Sequence, residues 1–163
     1  MTERDQLIER IAAAFSGVAL GDGIGLQEAQ ELDHCRDVET RAAARAADEK
    51  NDWRLITAED LNRCESSLSY FNAEGMRFHL PGYMTAELLG DYYMGAVSNL
   101  THLDAHGRSY FAALNAAQRL VVREFLQFVR EDLEYESDVR NIDRALTEFW
   151  TDSDDATDTD QNS

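Results

Sequence analysis

The chain is poor in the residues that usually announce a site. Its 163 residues include one proline (Pro81), one lysine (Lys50) and two cysteines (Cys35 and Cys64). The cysteines stand 29 positions apart and form no C-x-x-C pair, so the reading is two reduced, half-buried thiols in a cytosolic chain. No stretch approaches the roughly 20 apolar residues that span a bilayer. The first residues, MTERDQLIERIAAAF, are charged and amphipathic, where a signal peptide would begin basic and turn apolar. The expected location is the cytoplasm. H-E-x-x-H is absent. Glycines 21, 23 and 25 make G-x-G-x-G rather than G-x-G-x-x-G, follow a helical pattern and precede no Lys-Ser/Thr, which argues against a phosphate cradle. Asp22 and Glu28 would repel a phosphate there. A tight turn that lets backbone approach backbone fits the glycines better. No internal repeat is present.

Positive charge is the other shortage. Fifteen Lys and Arg face 32 Asp and Glu, a formal charge of −17. Such a field repels phosphate backbones and argues against binding nucleic acid or an anionic membrane. It leaves three readings: a solubility or salt-adapted surface, a ligand for a basic protein, or a mimic of nucleic acid. Five aspartates lie in the closing TDSDDATDTDQNS, which has no base and nothing to bury, so residues 151–163 are expected to be disordered. Without those five aspartates the charge is still −12. Hydrophobic residues make up 44%, as in ordinary globular proteins, and residues 1–150 are expected to form one domain with a real core.

Helical patterns fill most of that length. Thr2 with Asp5 reads as a capping box for a first helix that buries Leu7, Ile8, Ile11, Ala12 and Phe15 and ends at Gly17. Residues 26–50 carry a narrow stripe of Leu26, Ala29, Leu32, Cys35, Val38, Ala42 and Ala46, with a break near residues 33–35. Trp53, Leu55 and Ile56 return the chain to the core. Thr57 to Asp60 reads as a second capping box. A helix is expected from about Met84 through Tyr93, toward Leu100, with a connection at residues 102–107. Asn115 caps the clearest helix, in which Leu120, Val121, Phe125, Phe128 and Val129 face inward and Arg119, Arg123, Glu124, Arg130 and Glu131 face water. A last helix covers about 137–150.

The organising stretch is SYFNAEGMRFHLPGY, residues 69–83. Residues 76–80 alternate side chains and are closed by Pro81-Gly82, which reads as a short strand, while residues 72–75 read as a turn with Gly75 free to take a positive φ. The expected fold is mainly α, with five or six helices packed around this central strand. It becomes α+β with one short strand pair if residues near 53–56 or 68–71 supply the partner.

Three blocks, AFSGVALGDGIGLQEA, DEKNDW and NAEGMRFHLPGYM, resemble an uncharacterised bacterial family, a domain-of-unknown-function group of small acidic proteins. The likeness covers about residues 7–130, and EGxRFHLPxY is its most specific part. The resemblance implies a shared fold and supplies no activity, cofactor or catalytic residue.

Candidate chemistry is thin. His102 and His106 have a helical metal-ligand spacing, but they stand in a loop-like connection beside Gly107 and lack a third ligand. His34 with Cys35, or His79 with Cys64, could make a nucleophile pair only through unusual geometry. Glu28, Asp48, Glu49 and Glu74, together with Arg77, sit in the three blocks above. They read first as a structural ion-pair network around Arg77, and otherwise as a binding pocket or paired catalytic carboxylates. Tyr83, among the core aromatics Trp53, Phe71, Phe78, Tyr92, Tyr93 and Phe111, is expected to keep its hydroxyl near solvent or a buried acid. No catalytic residue, metal or cofactor is assigned, and the oligomeric state is left open. The leading expectation is a non-enzymatic module, inhibitor-like or immunity-like, for a basic protein partner. The alternative is a small-ligand binder or enzyme with an acidic pocket built from Glu28, Asp48, Glu49, Glu74 and Arg77.

Overall fold

The computed structural model describes residues 1–151. Among them are nine α-helices and no strand: α1 Glu3–Ala14, α2 Leu26–Asp33, α3 Val38–Ala47, α4 Ala58–Arg63, α5 Ala73–Leu88, α6 Val97–Thr101, α7 Ala105–Ser109, α8 Ala116–Arg130 and α9 Val139–Glu148. Short 3-10 turns stand at Trp53–Leu55, Ser67–Ser69 and Leu133–Asp138. The fold is therefore mainly α, and the strand pair is not formed. The expected disorder of the acidic tail lies, apart from Thr151, outside the described residues.

Local chemistry starts the helices where the sequence signals them. Thr2 and Asp5, Thr57 and Asp60, and Asn115 and Gln118 make reciprocal capping boxes at α1, α4 and α8, each satisfying two backbone donors left free by the first turn. Asp37, Asn72 and Asp104 cap α3, α5 and α7 in the simpler way. The break expected near residues 33–35 is real. Cys35 takes a left-handed φ of 53°, which ends α2 and turns the chain into α3.

The central strand is the main correction. Residues 76–80 belong to α5, and Pro81 lies inside that helix. Proline at this point removes only the hydrogen bond that the Arg77 carbonyl would have accepted, and the surrounding core holds the remaining turns. Eleven of the sixteen residues of α5 are buried, from Gly75 and Met76 through Leu88. A helix apolar on nearly every side has lost the 3.6-residue period, so a short window of it imitates strand alternation. The same helix ends at Leu88, and Gly90 has a φ of 78°. Tyr93 is consequently 81% exposed rather than in the core.

The core forms one cluster in which α1 packs on α8 and on α5, and α9 closes over α6 and α8. Val122 and Leu126 take inward positions on α8, while Leu120 turns outward. Arg119 and Arg123, expected in water, are half-buried instead. The Arg119 guanidinium lies over the Phe149 and Trp150 rings at 4.5 and 5.0 Å and donates to the Phe149 carbonyl at 2.7 Å. Arg123 donates to the Trp150 carbonyl. Both arginines thus close the C-terminal end of α9, where unpaired carbonyls attract cations. The α3 helix buries no residue and packs chiefly on α2.

Candidate functional site

The three blocks singled out in the sequence do meet, and the glycines allow it. A Cβ on Gly23 would stand 2.6 Å from the Gly75 nitrogen, and one on Gly75 would stand 2.6 Å from the Ile24 carbonyl oxygen. The loop before α2 and the first turn of α5 therefore touch backbone to backbone, which side chains at these positions would forbid. Asn72 Oδ1 joins them by accepting from the amides of both Gly75 (3.0 Å) and Ile24 (2.9 Å).

Arg45 holds the other side of the loop. Its guanidinium donates to the carbonyls of Gly23 and Gly21 and, at 3.2 Å, to Glu28 Oε1. Glu28 also accepts from the Gly25 amide at 2.9 Å. Asp48 completes the lock: its two oxygens accept from the amides of Gln27 (2.8 Å) and Glu28 (3.2 Å) at the N-terminus of α2. A Cβ on Gly25 would collide with the Asp48 carboxylate. Burial pushes the Asp48 carboxyl above its usual range, and the neighbouring Glu28 adds to this, while the two amides pull it back. Asp48 and Glu49 line a small cleft of about 190 Å³ with Asp60 and Arg63. The amides of Asn51 and Asp52 hold Glu49 below the usual carboxylate range.

The remaining candidates lie elsewhere. Glu74 Oε2 reaches the loop rim at Gly21. Arg77 makes no ion pair among the described residues, and its Nε is buried without a partner. The expected network around Arg77 is thus built on Arg45, whose fork reaches two carbonyls and a carboxylate. Tyr83 is fully buried, with its ring edge-on to Phe71 and Tyr92 at 6.3 and 5.0 Å. Its hydroxyl meets neither solvent nor a hydrogen-bond partner among the described residues, and burial raises its pKa well above the usual value.

His79 stacks on Phe71 at 4.3 Å, and its Nδ1 donates to the Gly75 carbonyl at 2.7 Å. Burial also raises the Cys64 thiol, which disfavours the thiolate that nucleophilic chemistry requires. Cys35 is exposed at the turn after α2. His102 Nδ1 lies 2.7 Å from the Ser98 carbonyl oxygen, and His106 Nε2 lies 2.8 Å from the Tyr110 hydroxyl, so the two imidazoles serve separate partners. Among the described residues no three His, Cys, Asp or Glu side chains are arranged to hold a metal ion. No helix among them is long and apolar enough to cross a membrane.

Sequence reasoning missed three features. Arg45 lies among alanines 42–44, 46 and 47 with no local pattern that marks it. Glu87 is a buried carboxylate that accepts from the Ala96 amide at 2.8 Å and the Tyr135 hydroxyl at 2.9 Å. Its position in the apolar run MTAELL was the available signal. The third is an apolar groove of about 340 Å³ between α1, the Trp53–Leu55 turn, α4 and α5.

Compared with curated proteins and with solved structures, the chain finds no match in either set. Residues 3–154 match the family model of DUF6714, a family of unknown function. The chain thus belongs to the DUF6714 family.

Proposed function

We propose that this protein is a non-enzymatic binding module that takes a basic protein partner through its acidic exterior, in the manner of an inhibitor or immunity protein. The observation that carries the reading is where the negative charge lies. Residues 131–138, EDLEYESD, hold five acids and no base, and Leu133 in their midst is 85% exposed. Tyr135 fixes this segment to the body through Glu87. An exposed apolar side chain flanked along the chain by acids suits a lysine- or arginine-rich surface, for which complementary charge speeds encounter and rejects acidic competitors. The test is affinity capture from the cell that encodes the protein, at low and high salt, with wild type and a Glu134→Lys, Glu136→Lys variant. A basic protein retained by wild type at low salt, and lost with salt or with the variant, is expected. Capture that ignores both changes would refute the reading.

Asp48 favours a second reading, a small-ligand-binding protein or enzyme whose acidic pocket is the cleft of Asp48 and Glu49 with Asp60 and Arg63, without Glu74 and Arg77. A buried carboxyl held above its usual range beside a cleft is a common mark of functional sites. A metabolite that raises the melting temperature of wild type but not of Glu49→Gln would support it.

A further inference from the structure

We propose that the groove between α1, the Trp53–Leu55 turn, α4 and α5 is the seat of an amphipathic, cationic helix presented by a protein partner. The inference rests on the acidic-module reading above and deepens it by adding a contact surface beyond residues 131–138 and the shape of the partner segment. The groove holds about 340 Å³, and its walls include Ile8, Ala12, Trp53, Leu61 and Ala86, with Leu89 on the rim. Leu89 is 53% exposed although it follows directly on a buried helix. Small side chains on the floor and an aromatic wall form the kind of hollow into which one face of a helix lays its anchors.

Gly82, inside α5, shows that the hollow is not a by-product of tight packing. A Cβ there would meet nothing nearer than Leu61 Cδ1 at 4.0 Å. The fold therefore does not require glycine at 82 as it does at 75, and a glycine within a helix is less favourable than alanine. What glycine does at 82 is keep the floor of the groove open. Thr85 lines the same groove one turn further along α5.

Charge selects the occupant. Asp91 lines the groove, and Glu9 and Glu59 follow wall residues Ile8 and Ala58 in the chain. None of the three has an ion-pair partner among the described residues. Arg54, the one base of the wall, is held by both oxygens of Asp52 at 3.0 and 3.2 Å. An apolar floor on which Asp91 stands unpaired and Arg54 is already neutralised complements leucine-like anchors flanked by lysine or arginine. A second copy of the chain would bring the same −17 to the contact, and like charge disfavours that pairing.

The experiment uses the full chain, labelled with nitrogen-15 and titrated with a synthetic Leu/Lys amphipathic helix, its Leu/Glu counterpart and polylysine. The two tryptophans supply internal controls, because both indoles donate to buried backbone carbonyls, Trp53 to Phe15 and Trp150 to Leu100, but only Trp53 walls the groove. Saturable shifts of the Trp53 indole and the Gly82 amide with the Leu/Lys peptide, leaving the Trp150 indole in place, are expected. Leu89→Glu, a change at a half-exposed rim position, and Gly82→Leu should each weaken that peptide by about tenfold or more. Equal binding of polylysine or of the Leu/Glu peptide would overturn the proposal, as would shifts scattered over the surface or concentration-dependent dimers that occupy the groove. A natural basic partner that is lost by Glu134→Lys, Glu136→Lys yet unaffected by Leu89→Glu would also overturn it, while leaving the acidic-module reading intact.

Discussion

His79 lies near the middle of α5, 1% exposed, with Nδ1–H on the Gly75 carbonyl and Nε2 facing no partner among the described residues. A neutral ring satisfies this arrangement, whereas a protonated one would bury an N–H⁺ without an acceptor. Burial accordingly depresses its pKa to about 4, and the Gly75 bond acts in the opposite sense. The unfolded chain takes the proton near pH 6.5, so the stabilising effect of the neutral ring is fully present above that value and is lost as pH falls toward 4. Linkage puts the loss between pH 7 and pH 4.5 at about 2–3 kcal/mol. Urea midpoints of wild type should show a slope of that sign, and His79→Phe, which keeps a ring on Phe71, should remove most of it. Asp48 and Glu87 have raised pKa values and so act in the opposite sense, with stability lost as pH rises through their folded values. The difference between variant and wild type isolates the imidazole.

At the scale of elements, α5 carries two glycines with opposite demands. Gly75 abuts the Ile24 carbonyl oxygen, 2.6 Å from any added Cβ, while Gly82 faces open space to 4.0 Å. Gly75→Ala must push two backbones apart and is expected to destabilise by about 2 kcal/mol or more, in the range of overpacked sites. Gly82→Ala is expected to stabilise by about 0.5–1 kcal/mol by removing the helix penalty of glycine. Thermal or urea unfolding of the pair checks both signs, and equal effects would contradict this account of the helix. The capped helices α1, α4 and α8 were legible because their starts depend on residues three apart. The class of α5 was not legible, because an asparagine cap, an interior proline and apolar side chains all round override the local strand pattern.

At the scale of the whole molecule, the charge of −17 sets both partner choice and self-repulsion. Salt at about 0.1 M screens beyond roughly 10 Å. The protein is expected to fold at low ionic strength and to gain about 2–4 °C in melting temperature as KCl is raised, the equivalent of about 1 kcal/mol in a domain of this size. Calorimetry across a KCl series measures it, and a chain that folds only at high salt would move the reading to a salt-adapted surface. The amino-acid sequence alone determined the acidity, the absence of recognised metal and phosphate motifs, and most helix starts, since these depend on composition or on neighbours within one turn. The tertiary structure alone decided that Arg45 rather than Arg77 holds the glycine loop and that Asn72 bridges to Ile24 across 48 positions. It also decided that a groove opens beside Gly82. Contacts of that range arise only when several helices bury their faces together, and no local pattern of side chains encodes which faces will meet.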